Sequence, residues 1–154
     1  MAEALTLAIN AREIDEVPVG AVIVHEGSII GRGFNQVESG KSVLVHAELV
    51  AIREANLRLS SWRLTGCTLY TTLEPCAMCA GALILSRIAK LVFGAHDPKA
   101  GAAGSVINLF QPGLFNHTVE IISGVLAAAC NTMLSQYFQD LRSRKKLTQK
   151  FIQP

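Results

Sequence analysis

Two short segments, near residues 46 and 76, carry side chains that must lie together if they are to do chemistry. The first is His46-Ala47-Glu48, and the second runs from Pro75 to Cys79 and contains a Cys-x-x-Cys pair. One histidine and two cysteines make three zinc ligands, whereas a closed structural site takes four protein ligands. We therefore expect a fold that brings the two segments together and leaves one zinc position to solvent.

Neither segment is specific alone. A Cys-x-x-Cys pair can serve redox chemistry or structural zinc, and a histidine at a helix start is often only a packing residue. A structural site would need a fourth ligand, and the nearest candidate, Cys67, opens a strand-like run and is better interpreted as a small core residue. With Pro75 directly before Cys76, the combination favours a catalytic site with His46, Cys76 and Cys79 as its ligands.

Glu48 is placed to handle protons at such a site. A zinc ion with an open position lowers the pKa of a water ligand from about 15.7 towards about 7. A carboxylate two residues from a ligand can take that proton and pass it to a substrate, which is general acid–base catalysis. The alternative for Glu48 is a surface salt bridge.

Both ligand segments are predicted at helix starts. His46 directly precedes a predicted helix over 47–57, and the two cysteines fall in the first turn of another over 76–86. Positive potential at a helix N-terminus favours thiolate over thiol, and a proline at this junction fixes φ without needing a partner for an N–H. If the two helices lie side by side on a sheet, their N-termini converge.

The rest of the chain alternates between strand and helix patterns. We predict a helix over 2–12, strands over 19–25, 28–34, 67–72, 90–95 and 118–123, and a last helix over 124–146, with basic residues extending it to about 150. Such an alternation indicates an α/β fold with helices on both sheet faces. With 154 residues, half of them hydrophobic, we expect one domain over 1–154. The long loop over 98–113 is expected to be functional.

Two patterns bear on the cellular compartment. The chain begins without the basic and apolar regions of a signal peptide, so we expect a reducing, cytosolic environment in which the four cysteines stay unpaired. Residues 121–139 carry no charge, but polar residues are scattered among apolar ones at helical spacing. This pattern predicts an amphipathic helix and no membrane span.

Several further stretches carry a resemblance. They are residues 16–22, 33–35, 70–82, 93–105 and 115–117. Together with the zinc segments, which match the His-x-Glu and Pro-Cys-x-x-Cys signature of zinc nucleobase deaminases, they cover nearly the whole chain. The sequence resembles the bacterial tRNA-specific adenosine deaminases, a branch of the cytidine deaminase superfamily.

The resemblance implies hydrolysis of adenosine to inosine at the first anticodon position of a tRNA, typically an arginine tRNA. It also implies a three-layer α/β/α fold around a five-stranded mixed sheet, one Zn²⁺ per subunit and a homodimer. By matching positions, His46, Cys76 and Cys79 hold the zinc and Glu48 moves the protons. The apolar residues Val43 and Leu44, close to His46 in the sequence, agree with a dimer contact.

The resemblance also implies the residues that contact the substrate. Asn35 would bond the flipped nucleoside, Val17 and Leu73 would line its pocket, and Asp97 would touch the next nucleotide. The full expected set is Val17, Asn35, Ala47, Leu73, Asp97, Phe115, Asn116 and His117, the last three holding the splayed anticodon loop. The alternatives are turn formation for Asn35 and Asp97 and core packing for Val17 and Leu73. His117 could be a solvated loop histidine, and Phe115 a buried anchor for the loop.

The C-terminal end is basic. Residues 140–154 carry five basic side chains against one acidic, in a chain whose net charge is +2. A basic helix end can simply be solvated. Beside a site that modifies a base, we expect Arg142, Arg144, Lys145 and Lys146 to contact RNA phosphates.

Two rival functions remain open. A deaminase of free guanine or cytosine would use the same zinc centre without needing the basic tail or the loop over 97–105. A catalytically silent RNA-binding partner of another deaminase would tend to lose the glutamate, whereas Glu48 is present.

Overall fold

The structure, a computed structural model, describes residues 1–152, and the side chains of residues 1–146. It contains four α-helices and five strands in this range. The helices are α1 (Ala2–Glu13), α2 (Ala47–Leu59), α3 (Ala77–Leu85) and α4 (Ala127–Ile152); the strands are β1 (Gly20–His25), β2 (Ser28–Phe34), β3 (Thr68–Leu73), β4 (Lys90–Ala95) and β5 (Glu120–Ile122).

The strands form a single sheet in the order β2-β1-β3-β4-β5. Strand β1 runs antiparallel to both of its neighbours, β2 and β3, whereas β3, β4 and β5 are parallel. Helices cover both faces of the sheet, which gives three layers. The predicted fold class, a five-stranded mixed sheet in an α/β/α arrangement, is therefore confirmed.

The two faces of the sheet differ in what covers them. On one face α1 and α4 lie together, joined by an Arg12–Asp140 ion pair of 2.9 Å and by the Tyr137 hydroxyl, which donates to the Asp15 carbonyl at 2.9 Å. On the other face α2 and α3 bury the larger apolar core. That core includes Ala21, Ile23, Leu69, Leu91 and Phe93 from the sheet and Ala47, Ala51, Ala55, Ala80, Leu83 and Ile84 from the helices.

Helix α2 lies directly on the backbone of β2. Gly31 and Gly33 point to the same face because residues two apart in a strand do so. A Cβ atom built at Gly33 would lie 2.1 Å from the Ala47 carbonyl oxygen, and one at Gly31 would lie 2.2 Å from that of Ala51. These two glycines therefore allow α2 to approach β2 closely and fix the distance between the first turn of α2 and the sheet.

Four strand ends meet at one edge of the sheet. Strands β2, β3 and β4 end there, and β1, which runs the other way, begins there. Clefts outside the carboxyl ends of strands are a usual place for ligands in α/β proteins. Because α2 and α3 follow β2 and β3, both helices begin at this edge. Their N-termini converge, as the sequence predicts.

The structure shifts several predicted boundaries. Helix α4 begins at Ala127 and not at residue 124, because Gly124 and Leu126 have φ values of 84° and 56°, outside the α-helical range. Strand β5 is three residues long, not six. Residues 96–119 contain no helix or strand, only isolated bridges. No helix among residues 1–152 combines the length and apolar character that crossing a membrane requires.

Candidate metal centre and active site

Three side chains from the two helix starts lie together. His46 is the N-cap residue of α2 and Cys76 that of α3, while Cys79 lies in the first turn of α3. The Nδ1 atom of His46 is 3.7 Å from the Cys76 Sγ and 3.5 Å from the Cys79 Sγ. All three ligand atoms lie within 4.8 Å of one another.

The spacing of these atoms fits a zinc ion. With Zn–N of about 2.05 Å and Zn–S of about 2.3 Å, tetrahedral ligands place nitrogen and sulfur about 3.6 Å apart. The observed distances of 3.5 and 3.7 Å bracket that value. The donor set of one imidazole and two thiols is also one that zinc prefers. Among the residues described, only these three are close enough to form a metal-binding cluster of His, Cys, Asp or Glu.

The two thiols are electrostatically coupled. A hydrogen bond from Cys79, followed by one from His46, lowers the pKa of Cys76 to about 3. The same hydrogen bond to Cys76, followed by burial, raises the pKa of Cys79. The pair therefore carries one negative charge readily and a second only where a cation compensates it. The chemistry of the site thus suits a divalent ion.

Glu48 lies in the first turn of α2 and is only 4% exposed. Burial raises the pKa of its carboxyl group, and the charge of Cys76 adds to the effect. A carboxyl group with a raised pKa can take up and release a proton nearer to neutral pH. The surface salt-bridge alternative for Glu48 is incompatible with this burial.

His46, Cys76 and Glu48 open onto one cavity of about 310 Å³, while Cys79 is fully buried. This volume is at the small end of the range for ligand pockets, about 300–1,000 Å³. The lining residues are Glu16, Val17, Val19, Asn35, Val37, Glu38, His46, Glu48, Leu73, Glu74, Cys76, Asp97 and Ala100. Four residues of the expected substrate set, Val17, Asn35, Leu73 and Asp97, are thus brought together at the site. Ala47 is instead fully buried in the core.

Two buried carboxylates that the sequence analysis missed hold the walls of this cavity. Glu16, 1% exposed, accepts hydrogen bonds from Asn35 Nδ2 at 3.2 Å and from the backbone and hydroxyl of Ser39 at 2.7 and 2.9 Å. Glu74, 2% exposed, accepts bonds from the loop after β4. Glu16 lies shortly before β1 and next to Val17, and Glu74 lies directly after β3 and next to Pro75. A carboxylate beside both a strand end and a predicted site residue is the signal that could have singled them out.

Asp97 combines the two interpretations that the sequence left open. It lines the cavity, and its Oδ1 also accepts bonds from the N–H groups of Lys99 at 2.9 Å and Ala100 at 3.3 Å. That second pattern is an Asx turn, which shapes the backbone after β4. Asp97 therefore forms a turn and faces the site at once.

The 115–117 segment lies elsewhere in the chain. Arg87 donates to the carbonyl and side-chain oxygens of Asn116 at 3.0 and 2.8 Å, and His117 Nε2 lies 2.7 Å from the Ile88 carbonyl oxygen. Both contacts are at the start of β4, whereas the cavity is at its end, about 20 Å away for a strand of this length. Phe115 is 46% exposed. A substrate contact by these residues stays a prediction, and within one chain they do not share the cavity.

The basic residues of α4 divide into distinct environments. Arg142 lines a second cavity of about 530 Å³ that lies between α4 and residues 96–99. Arg144 Nη1 pairs with Asp15 Oδ1 at 2.7 Å. Lys145 and Lys146 are exposed.

Comparisons with known proteins agree with this geometry. Residues 1–95 match the cytidine and deoxycytidylate deaminase zinc-binding region. A tRNA-specific adenosine deaminase of Bacillus subtilis (strain 168) is 51% identical over 97% of this chain and 93% of its own. A solved structure from work on A-to-I editing by tRNA:A34 deaminases at the wobble position has a TM-score of 0.81 and 43% identity over 85% of this chain and 95% of its own.

A more distant solved structure, a guanine deaminase from Nitrosomonas europaea, has a TM-score of 0.76 and 27% identity over 88% of this chain and 81% of its own. The shared fold, the His-Cys-Cys site and the family match together show a zinc-dependent hydrolytic deaminase that holds one zinc ion. The chain belongs to the cytidine and deoxycytidylate deaminase family and, within it, to the tRNA-specific adenosine deaminases.

Proposed function

We propose that this protein hydrolyses adenosine to inosine at the first anticodon position of a tRNA, with an arginine tRNA as the expected substrate. One observation carries the proposal: two of the three zinc ligands, the buried Glu48 and four of the residues expected to contact the substrate line the same cavity. The names of the similar proteins support the choice of tRNA and adenosine.

The reaction replaces an exocyclic amine by oxygen and releases ammonia. His46, Cys76 and Cys79 would hold a zinc ion, which would activate a water molecule as a Lewis acid. Glu48 takes the proton of that water and transfers it to the adjacent ring nitrogen. It then takes the remaining proton from the hydroxyl group on the ring carbon and passes it to the departing amine, which leaves as ammonia. Its raised pKa suits a group that must accept and return a proton within one turnover.

The cavity walls hold the base. Val17 and Leu73 offer apolar surface, and the Asn35 amide, oriented by its bond to Glu16, offers a polar contact. At about 310 Å³ the cavity is at the small end for ligand pockets and has room for a single nucleotide base. A nucleotide of RNA must therefore leave its stack to enter.

The second cavity favours a polynucleotide substrate over a free base. It adjoins the first, since Val17, Leu73 and Asp97 line both, and it adds the ring of Phe138 and the cation of Arg142. Aromatic rings and guanidinium groups stack on splayed bases and pair with phosphates. We propose that nucleotides next to the edited one bind here, and that Arg142, Lys145 and Lys146 contact the phosphates.

The test is incubation with unmodified tRNA transcripts, followed by sequencing for adenosine-to-inosine changes. Free adenosine, guanine and cytidine are assayed for ammonia release in parallel, and a Glu48→Ala variant serves as the inactive control. We expect inosine at the first anticodon position only. Turnover of the small molecules without any change in tRNA would overturn the proposal.

Guanine deamination is the second candidate. The similar fold of a guanine deaminase and the single-base size of the first cavity favour it. The second cavity argues against it, because a free base would leave that surface unused. Ammonia release from guanine in the parallel assay would support this alternative.

We further propose a cytosolic homodimer. All four cysteines are free, as expected in a reducing compartment where tRNA resides. Val43 and Leu44, three and two residues before His46, are 67% and 64% exposed, and a partner surface would bury them. Light scattering of the wild type and of Leu44→Asp tests the assembly. A wild-type monomer would refute it.

A further inference from the structure

The loop from His96 to Ser105 forms one wall of the active-site cavity, yet in the structure it contains neither helix nor strand. Three of its backbone N–H groups instead donate to one carboxylate, that of Glu74, which directly follows β3. Glu74 accepts from the backbone N–H of Asp97 at 3.0 Å, of Ala103 at 2.9 Å and of Ser105 at 3.1 Å. The Ser105 hydroxyl donates to the same carboxylate, and His96 Nδ1 lies 3.4 Å from it.

The Glu74 side chain is fully buried. Gly101 crosses it so closely that a Cβ atom there would lie 2.6 Å from Oε2. Without the carboxylate, three N–H groups of the wall would have no acceptor. An N–H group that loses its acceptor and is shielded from water destabilises the fold, so the wall would have to rearrange.

Asp97 and Ala100 are the residues of this wall that line the cavity, and Asp97 is the one with a charged side chain. Its Oδ1 is held by the N–H groups of Lys99 and Ala100, whereas no hydrogen bond joins its Oδ2 to any residue in the described part of the chain. Its own N–H is bound to Glu74. The buried carboxylate of Glu74 thus holds the backbone of Asp97, whose own carboxylate faces the cavity.

We propose that Glu74 is a positioning residue of the deaminase. It holds the 96–105 wall in place and so fixes Asp97 against the bound nucleotide, while its own carboxylate touches no substrate. This inference rests on the proposed function, because it assigns to Glu74 a part in binding the RNA. The bonds span 23 to 31 residues, so Glu74 also ties the end of β3 to a wall that follows β4.

The first test measures the wall itself in the zinc-loaded protein. In Glu74→Ala, amide exchange at Asp97, Ala103 and Ser105 should accelerate by about tenfold or more, while the amides of β1 and β3 keep their protection. Glu74→Gln should show a smaller change, because one oxygen remains as an acceptor. The matched control is Glu120→Gln, an exposed carboxylate paired with Lys90 on the far strand. Unchanged exchange in the wall of Glu74→Ala would overturn the proposal.

The second test is a double-mutant cycle on tRNA deamination. Glu74→Ala should lower kcat/KM by about 10- to 100-fold, with zinc content unchanged. In an Asp97→Ala background the same substitution should add less than about threefold, because its effect passes through Asp97. If the loss of kcat/KM in the double variant equals the product of the two single-variant losses, the positioning role is overturned. Should Glu74→Ala fail to fold, Ser105→Ala removes one hydroxyl donor and is tested in the same cycle with the same two outcomes.

The two proposals fail in different ways. A wild-type protein that leaves every tRNA unchanged overturns the proposed function. An active wild type with multiplicative losses, or with an unaltered wall, overturns the role of Glu74 and leaves the proposed function standing.

Discussion

Replacing Gly33 by alanine should damage the metal centre without touching any of its ligands. The new Cβ atom would lie 2.1 Å from the Ala47 carbonyl oxygen, whereas real Cβ contacts stay above 3.0 Å. The first turn of α2 must therefore withdraw from β2 by about 1 Å. That turn carries His46 and Glu48, while Cys76 and Cys79 stay on α3. The substitution separates the two halves of the site.

Two effects contribute to the change in the free energy of unfolding of Gly33→Ala. Overpacking of a buried contact costs about 1–3 kcal/mol of unfolding free energy, and the lower flexibility of alanine in the unfolded chain returns about 0.4–1 kcal/mol. We expect a net loss of about 1–2 kcal/mol, measured by urea denaturation. A misplacement of about 1 Å at a reacting centre lowers the rate by about 100-fold, and we expect that loss in kcat with a weaker affinity for zinc.

Two other glycines give matched controls. A Cβ atom at Gly31 would lie 2.2 Å from the Ala51 carbonyl oxygen, one turn further along α2. Gly31→Ala should therefore lose similar stability but less than about tenfold in kcat. A Cβ atom at Gly81 in α3 would meet nothing within 4 Å, so Gly81→Ala should gain up to about 1 kcal/mol. A Gly33→Ala protein with wild-type zinc affinity and kcat would refute the reasoning.

Three further predictions concern the site and the tail. Glu48→Gln should keep zinc but lose about 10²- to 10⁴-fold in kcat; single-turnover kinetics and metal analysis check both. Removing zinc with a chelator should lower the melting temperature of the wild type more than that of Cys79→Ser, because a ligand bound only by the folded state stabilises it. Replacing Lys145 and Lys146 by alanine should make the slope of log affinity against log salt shallower by about 0.7–0.9 for each phosphate that these lysines neutralise; an equal slope would mean that both lysines are only solvated.

The metal centre could be predicted from the sequence because each ligand is tied to a local signal. His46 and Cys76 each cap a helix, and Cys79 lies one turn further on. Helical periodicity and the Cys-x-x-Cys spacing fix those relations within a few residues, with no long-range contact needed. The strands followed in the same way from short apolar runs. What the pattern could not give was the order of the sheet, in which β1 lies between β2 and β3.

The cavity walls are the opposite case. Glu16 and Glu74 look like solvated carboxylates in the sequence, because charged residues are rarely buried without partners. Their partners are backbone N–H groups and small polar side chains 19 to 31 residues away. No pattern in the neighbouring residues announces such bonds. The sequence therefore points to residues that line the cavity and misses those that hold them in place.

The arginines and lysines at positions 142–146 of α4 show how the fold divides a group that the sequence analysis treats as one. Arg144 reaches across to Asp15 beside α1 and forms a solvent-exposed ion pair with it. Arg142 instead faces the second cavity with Phe138 and Asp97. Because Asp15 belongs to the segment that follows α1, Arg144 helps to seat α4, and the seated helix then presents Arg142 to the cavity. Two arginines two residues apart thus differ in role: Arg144 pairs with another segment, and Arg142 lines a cavity.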